Sequence, residues 1–492
     1  MGKDIDRSDF SEDEYWAFNH KLHHNLDALR KVISLPNFGS GPQMIGAELE
    51  LYLIDKDARP SMSNVEVQQQ FASDQLTLEL NRYNIEYNLK AVPIKGRCFN
   101  ALEKEMISVI SRLNELADGA VIPIGILPTL STKDFGPGAM TDLPRYHALA
   151  KILQQWRGGK GHKVKIEGLE EVEITSNDIT LEGACTSFQV HYKMSPERFV
   201  DLWNAAQLVT PLVLALSANS SFVLGKMAWQ ETRIPLFKQS IDGRRQGNQL
   251  WRDPSRVYFG NGWLRNSAYE LFAQNVYLFP SVIPICYPDE PLETLSEGKL
   301  PTLEELCLHN GTVWSWNRAI YCTDDSGHIR MELRSLPAGP TAVDMVANAA
   351  LMIGLMEGLF EQINLLIDAL PFHYAEHNFY RAAQYGLEAQ LIWPSTAQNG
   401  LAERSVTDIL WELLPKAADG LKEVKVSSLD INNYLGVVEK RLEARQTGAT
   451  WQLINYQKRL KTQSKRGALK SMVNAYRDLS LSNLPVGEWP CR

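Results

Sequence analysis

The segment that decides the fold is Met44–Leu53, which reads Met-Ile-Gly-Ala-Glu-Leu-Glu-Leu-Tyr-Leu. Along an extended strand, successive side chains point to opposite faces. The leucines of the segment therefore share one face, and Glu48, Glu50 and Tyr52 share the other. Two neighbouring carboxylates repel each other unless a cation lies between them. Taken alone, a solvated sheet face explains this pattern better than a metal site does.

Three later segments repeat the alternation of apolar residues with metal-ligand or phosphate-binding types. They are 84–88, with Glu86 and the upstream Glu79; 187–191, with Gln189 and His191; and 330–334, with Arg330, Glu332 and Arg334. Mg²⁺ prefers oxygen ligands and keeps positions for substrate phosphates, whereas arginine binds phosphate or carboxylate as a fork. Four such segments together favour a Mg–nucleotide site on one sheet face over four unrelated solvated strands.

In order and spacing, the motifs GAELELYL, NIEYNL, SFQVHY and RMELRSLP resemble those of the glutamate–cysteine ligase family, most closely the family 2 carboxylate–amine ligases. The resemblance continues through a Ser-Ala-Asn-Ser stretch that is followed by Arg233, and into C-terminal helical motifs. It implies a glutamine-synthetase-like fold of the α+β class. In that fold a curved antiparallel sheet forms a funnel for ATP, glutamate and two or three Mg²⁺ ions, for which Mn²⁺ is the expected substitute.

The resemblance also implies roles for single residues. The residues that match the metal ligands of the family are Glu48, Glu50, Glu79, Glu86, His191 and Glu332. The candidates for contacts with the nucleotide or the substrate are Arg145, Gln189, Arg233, Arg330, Arg334 and Arg381. Arg334 resembles the arginine that contacts the transferred phosphoryl group, and we take Arg334 and Arg233 as the catalytic candidates. A surface salt bridge is the alternative for Arg145, Arg233, Arg334 and Arg381.

The reaction that the resemblance implies is an ATP-dependent ligation. A carboxylate is a poor electrophile, so ATP would first convert the γ-carboxylate of glutamate to an acyl phosphate, which an amine then attacks. Cysteine is the leading amine, and it would place the chain in glutathione biosynthesis. The alternatives are a ligase with another acid or amine, a regulatory protein that binds ATP and Mg²⁺ without turnover, and a phosphotransferase that stops at a phosphorylated small molecule.

Composition restricts the partners and the compartment. The 492 residues carry 50 basic and 58 acidic side chains, and the net charge of −8 argues against nucleic acid or anionic lipid as the main partner. Six scattered cysteines without metal spacing, and a start without an apolar signal segment, predict a soluble protein of the reducing cytoplasm. The uncharged stretch Leu202–Gly225 contains many polar groups, so we expect a buried helix rather than a membrane span.

The pattern along the chain divides it into three parts. We expect an N-terminal helix and lead-in at 1–40, a catalytic core at 41–340 and a helical part at 341–492 that packs on the core. Ser11 and Glu14 predict a capping box at the first helix. The helices predicted after residue 340 are 341–369, 401–419, 428–446 and 450–480. The final residues read as a loose tail, and the basic C-terminal helices leave homo-oligomerisation open.

Overall fold

The computed structural model describes residue 7 and residues 9–244, 254–395 and 400–491. The strands are β1 Met44–Ile54, β2 Leu76–Leu78, β3 Asn84–Pro93, β4 Ala120–Ile122, β5 His162–Glu167, β6 Glu171–Ser176, β7 Phe188–Lys193, β8 Phe222–Val223, β9 Lys226–Met227, β10 Val257–Tyr258, β11 Trp314–Ser315, β12 Asn317–Cys322, β13 His328–Leu333, β14 Gln390–Ser395 and β15 Gly400–Ser405. The helices are α1 Glu12–Ile33, α2 Asn64–Phe71, α3 Cys98–Leu116, α4 Pro144–Trp156, α5 Pro196–Ser217, α6 Arg233–Ser240, α7 Tyr269–Leu278, α8 Pro291–Ser296, α9 Glu304–Gly311, α10 Ala342–Gly358, α11 Ile363–Ala369, α12 Phe372–Tyr385, α13 Val406–Glu423, α14 Ser428–Ala444, α15 Gly448–Leu460 and α16 Lys465–Leu481.

The main sheet has seven strands in the order β12-β13-β7-β1-β3-β2, and β4 pairs with the end of β1. Its pairings are antiparallel, and the sheet curls into a half-barrel. The four segments with the alternating pattern are β1, β3, β7 and β13, so their prediction as strands of one sheet is confirmed. The predicted α+β class with a curved antiparallel sheet is confirmed as well.

The two faces of β1 have opposite environments. Leu49, Leu51 and Leu53 are fully buried in the main hydrophobic core, which they share with α5 and α10. Carboxylates cannot enter that apolar layer without a large desolvation cost, so the alternation turns Glu48 and Glu50 to the opposite face. The same core extends across residue 340, because α10 packs against α5, α13 and α14. The division at residue 340 therefore stays an interpretation of the sequence.

Helix α1 begins as predicted. The Ser11 backbone N–H donates to Glu14 Oε2 at 2.8 Å, and the Glu14 N–H donates to Ser11 Oγ at 3.3 Å. This capping box satisfies donors that have no partner within the helix, and such a cap stabilises a helix by about 1 kcal/mol. The uncharged stretch 202–225 lies largely in α5, and 89% of the apolar window of that helix is buried inside the fold. The prediction of a buried helix is therefore confirmed.

The prediction of the C-terminal helices is wrong in three places. Residues 341–369 form two helices, α10 and α11, which are joined by a 3₁₀ turn at Phe360–Gln362. Residues 401–405 belong to β15, because they pair with β14 in a hairpin. Residues 450–480 also form two helices, since Ser464 Oγ accepts the Gly467 N–H and caps a new helix.

The prediction of a loose tail at the C-terminal end is also wrong. Trp489 is 3% exposed, and its ring lies edge-on to Trp451 and Tyr476, with centroids 5.1 and 5.2 Å away. The side-chain amide of Gln446 donates to the carbonyls of Val486 and Trp489 at 2.6 and 2.9 Å. A large aromatic ring buried in this way anchors the chain end without any periodic pattern.

Candidate active site

Strand register places the predicted site residues in rows across the open face of the main sheet. The opposed pairs are Thr77–Glu86, Glu86–Glu50, Glu48–Gln189, His191–Glu332 and Glu332–Arg318. Each residue is an alternate position of its strand, so all of them point away from the helices that cover the other face. The alternation and the register together bring side chains from six strands to one surface.

The first set of side chains, which we name the histidine group, consists of Glu48, His191 and Glu332, a grouping that could hold a metal ion. One ligand atom of each lies within 4.8 Å of the others. His191 Nε2 is 3.1 Å from Glu48 Oε1 and 3.8 Å from Glu332 Oε1. Nε2 is buried, and no described residue makes a well-aligned hydrogen bond to it. An octahedral Mg²⁺ holds its ligands at about 2.1 Å, which places adjacent ligand atoms about 3 Å apart, so the histidine group fits such an ion.

Arginines keep the acids of the histidine group ionised. Arg318 donates to both Glu332 oxygens at 2.8 and 3.1 Å, and Arg334 Nη1 donates to Glu332 Oε2 at 2.9 Å. Burial opposes the charge on Glu332, but these two guanidinium groups hold its pKa well below the usual range. Burial also opposes the charge on Glu48, and His191 lowers the pKa of that carboxyl. Both carboxylates are therefore anionic and ready to bind a cation.

The second set of side chains, which we name the carboxylate group, consists of Glu50, Glu79, Glu86 and Glu182, whose charges act on one another. Burial, with the nearby charges of Glu48 and Glu50, raises the pKa of Glu86 to about 8. Burial and Glu50 raise the pKa of Glu182 to about 8. Burial and its acidic neighbours raise the pKa of Glu79 well above its ordinary value. Acids that suppress one another's ionisation are a favourable place for a divalent cation.

Gln189 and Arg334 connect the two groups. Gln189 Nε2 donates to Glu50 Oε1 at 2.6 Å, and Gln189 Oε1 accepts a hydrogen bond from Arg334 Nη1. The same Arg334 nitrogen reaches Glu332, so a continuous hydrogen-bonded chain runs from one ligand group to the other. The Ser187 N–H also donates to Glu50 Oε2 at 2.6 Å. Arg334 thus contacts both a residue of the histidine group and the glutamine that binds Glu50.

A family model for glutamate–cysteine ligase family 2 matches residues 44–475, which is most of the chain. The chain belongs to glutamate–cysteine ligase family 2. A Frankia alni protein whose name carries the words glutamate–cysteine ligase 2-1 is 24% identical over 408 residues, which cover 78% of this chain and 85% of that protein. The family resemblance inferred from the four motifs is therefore confirmed.

Solved structures add a likeness in fold. Glutamate–cysteine ligase from Francisella tularensis, in complex with AMP, aligns with a TM-score of 0.53 and 9% identity over 92% of this chain and 91% of that one. A bifunctional glutathione synthetase from Pasteurella multocida aligns with a TM-score of 0.43 and 10% identity over 94% of this chain and 56% of that one. Membership of the ligase family, together with this fold, supports a ligase.

The remaining predicted arginines of this family 2 member lie at different distances from the ligand groups. Arg330 donates from Nε to His191 Nδ1 at 2.8 Å. Arg145 contacts the Leu78 carbonyl at 3.3 Å, next to Glu79. Arg381 lies on α12 with its guanidinium 4.3 Å from the centre of the Tyr385 ring, a contact within its own helix. The structure joins Arg330 directly to the histidine group, whereas within the described ranges Arg381 has no such contact.

Arg233 is buried behind the site. Its Nε donates to Glu231 Oε1 at 2.7 Å, and its Nη2 donates to the Ser335 carbonyl at 2.6 Å. Glu231 also accepts from the Asn219 N–H and the Ser220 hydroxyl, so this ion pair is well satisfied. Arg233 is only 2% exposed and holds the residue that follows Arg334.

Sequence reasoning missed Glu182 and Arg318. Glu182 begins a 3₁₀ turn at Glu182–Ala184, so no strand alternation marks it. Glu182 lies five residues before Ser187, whose backbone N–H binds Glu50. This spacing has no meaning until the structure is known. Arg318 lies on the edge strand β12, and its register partner Glu332 identifies its role. A strand pattern with a basic residue opposite a predicted metal ligand could have suggested it.

Proposed function

We propose that this family member is an ATP- and Mg²⁺-dependent ligase that joins the γ-carboxylate of glutamate to an amine, with cysteine as the leading amine. The observation that carries the proposal is the pair of ligand groups on one sheet face, linked through Gln189 and Arg334. Two neighbouring cation sites with an arginine between them suit the transfer of a phosphoryl group. We infer that Glu48, His191 and Glu332 hold one ion, and that Glu50, Glu79 and Glu86 hold another.

The charges beyond each ligand group suggest which substrate binds where. Arg330 continues the histidine group along β13, and its cross-strand partner is Lys193. This basic end is suited to the phosphates of ATP, with Arg330 as a phosphate contact. Arg145 and the Tyr146 hydroxyl lie at the opposite side, beside the carboxylate group. That side is suited to glutamate, whose α-carboxylate would bind Arg145.

Phosphoryl transfer to the γ-carboxylate requires that negative charge be offset, because a carboxylate and a phosphate repel each other. Bound Mg²⁺ ions would supply most of that neutralisation. Arg334 adds a fixed donor, since its contacts with Glu332 and Gln189 orient the guanidinium before the substrate arrives. We expect the amine to attack the acyl phosphate, so that phosphate leaves and an amide forms. Gln189 keeps Glu50 in place and orients Arg334.

Arg233 has a positioning role in this proposal rather than a contact with the reacting atoms. Its buried pair with Glu231 leaves its charge compensated, and its bond to Ser335 fixes the backbone next to Arg334. Arg381 remains a candidate for a nucleotide contact from its sequence motif. We expect the ligase to act on small molecules in the reducing cytoplasm, where the six cysteines that the structure shows as free thiols would remain reduced.

The experiment that tests this proposal is a panel of amines with ATP, Mg²⁺ and glutamate. Phosphate release measures turnover, and mass spectrometry identifies the product. Glu332→Gln is the matched control, because it keeps the shape of the side chain and removes the charge that the histidine group needs. The proposal expects amide formation and phosphate release in equal amounts, and only when an amine is present.

The same panel separates the rival functions. ATP binding in a thermal shift assay without phosphate release for any amine would indicate a regulatory protein that retains the fold. Phosphate transfer to a small molecule without any dependence on the amine would indicate a phosphotransferase. Amide formation only after glutamate is replaced by another carboxylic acid would keep the ligase and correct the acid substrate.

A further inference from the structure

The contact between Arg330 and His191 bears on how the histidine group receives its ion. Arg330 Nε donates to His191 Nδ1 at 2.8 Å, and Arg330 Nη1 contacts the Cys322 sulfur. Neither of these acceptors is a carboxylate. Among the described residues, no acid lies within ion-pair distance of Arg330, whereas Arg318 and Arg334 on either side of it both bind Glu332. Arg330 is thus a guanidinium held by neutral partners.

The hydrogen-bonding chemistry of imidazole makes this contact incompatible with metal ligation. A neutral imidazole carries one N–H, on either Nδ1 or Nε2. While Nδ1 accepts a hydrogen bond from Arg330, the proton must be on Nε2, and Nε2 then has no lone pair for an ion. Ligation through Nε2 requires the proton on Nδ1, where it would face the Arg330 N–H as donor against donor. His191 therefore binds either Arg330 or a metal ion.

We infer that Arg330 is a positioning residue that withholds His191 from the metal until an anionic phosphate group draws Arg330 away. This inference rests on the proposed function, because it assumes that the histidine group holds an ion next to nucleotide phosphates. When Arg330 leaves, a proton is lost from Nε2 and another is taken up at Nδ1, so the charge of His191 does not change. The ion and the nucleotide then bind cooperatively at this site.

The surrounding charges favour this exchange. Lys193 lies opposite Arg330 across the strand pair, and His328 lies two residues before it on the same face. Burial, Lys193 and Arg330 lower the pKa of His328 to about 4, and these two positive charges act on His328 more strongly than the nearby Asp324 and Asp325 do. A phosphate would offer Arg330 paired hydrogen bonds in which both partners carry charge, and these are stronger than its present bonds, in which only Arg330 is charged. Binding of a phosphate therefore favours the state in which Arg330 no longer binds His191.

The test is pulsed electron paramagnetic resonance with Mn²⁺ bound to the full-length protein, since coupling to an imidazole nitrogen reports ligation by histidine directly. We expect the wild type to show weak nitrogen modulation with Mn²⁺ alone and strong modulation once a non-hydrolysable ATP analogue is added. Arg330→Met, which removes the donor, should show strong modulation with Mn²⁺ alone. Its Mn²⁺ affinity without nucleotide should rise about tenfold, the scale of one lost charged hydrogen bond. His191→Asn should abolish the signal in both cases.

Lys193→Met is the matched control, because it removes a neighbouring positive charge but leaves the bond to His191. An equal gain in Mn²⁺ affinity in Lys193→Met and Arg330→Met would overturn the inference, since simple repulsion would then explain both. Equal nitrogen modulation in the wild type with and without the analogue would overturn it as well, while leaving the proposed function intact. No nitrogen modulation in any state would show that His191 is not a ligand, and would overturn the metal assignment together with the inference.

Discussion

Replacing Arg334 with lysine is the most informative change at the reacting centre. Arg334 Nη1 lies 2.9 Å from Glu332 Oε2 and also contacts Gln189, and its side chain is only 15% exposed. Lysine keeps the charge but loses the planar fork, and so little water reaches the site that solvent cannot replace the missing donor. Loss of one preorganised donor in such a site lowers kcat by about 10²–10³, which corresponds to about 2.7–4 kcal/mol.

The assay is steady-state kinetics of Arg334→Lys across concentrations of ATP and Mg²⁺. If Arg334 acts mainly as charge develops during transfer, kcat should fall about a hundredfold or more while the KM for ATP changes much less. Arg318→Lys is the control, because it disturbs the same Glu332 carboxylate and should chiefly raise the Mg²⁺ requirement. An unchanged kcat with a raised KM for ATP would contradict a role of Arg334 in the transfer step, since Arg334 would then only bind the nucleotide. An unchanged profile would place it outside the site.

Three further predictions follow from burial and charge. Glu50→Ala should abolish turnover with Mg-ATP. The thermal unfolding temperature of the metal-free protein should stay unchanged or rise, because the substitution removes a buried acid from an acidic cluster. Full activity at low Mg²⁺ would reject Glu50 as a metal ligand. The folded pKa of Glu86 is raised above its unfolded value, so the metal-free wild type should lose stability relative to Glu86→Gln as pH rises from about 4.5 to about 8. The loss is at most roughly 1.4 kcal/mol per pH unit. A difference in unfolding free energy between the two proteins that does not change with pH would contradict this prediction. Trp489→Ala should lower the free energy of unfolding, measured by chemical denaturation, by about 3–5 kcal/mol. A loss of less than about 1 kcal/mol would show that the C-terminal residues are not anchored by this ring.

Sequence pattern predicted the parts of the fold where burial differs sharply between adjacent residues. On β1 every second residue enters the core, so the alternation of leucine and glutamate was sufficient to orient the strand. The pairing of β15 with β14 was missed because the residues of β15 are partly or fully exposed on both faces, which leaves no clear alternation in that strand. The break before α16 was missed because a single serine cap decides it.

The site shows the same division between residues on strands and residues in turns. Glu48, His191 and Glu332 lie on three strands with clear alternation, and the structure brings them within 4.8 Å. Glu182 lies in a short turn, so only its three-dimensional position relates it to Glu50. The environment of Arg233 was not predictable either, because its partner Glu231 is two residues away in a loop that has no periodic signal.

The proposed reaction requires that the γ-carboxylate of glutamate be activated by transfer of a phosphoryl group. Glutamate labelled with ¹⁸O in its γ-carboxylate tests this claim most directly, because the acyl oxygen that bridges carbon and phosphorus leaves with the phosphate. The assay is mass spectrometry of inorganic phosphate after turnover with ATP, Mg²⁺ and the best amine of the panel. If the acyl phosphate forms, each phosphate released should contain one ¹⁸O atom, and the amide should retain the other. Phosphate without ¹⁸O, formed alongside a true amide product, would contradict it.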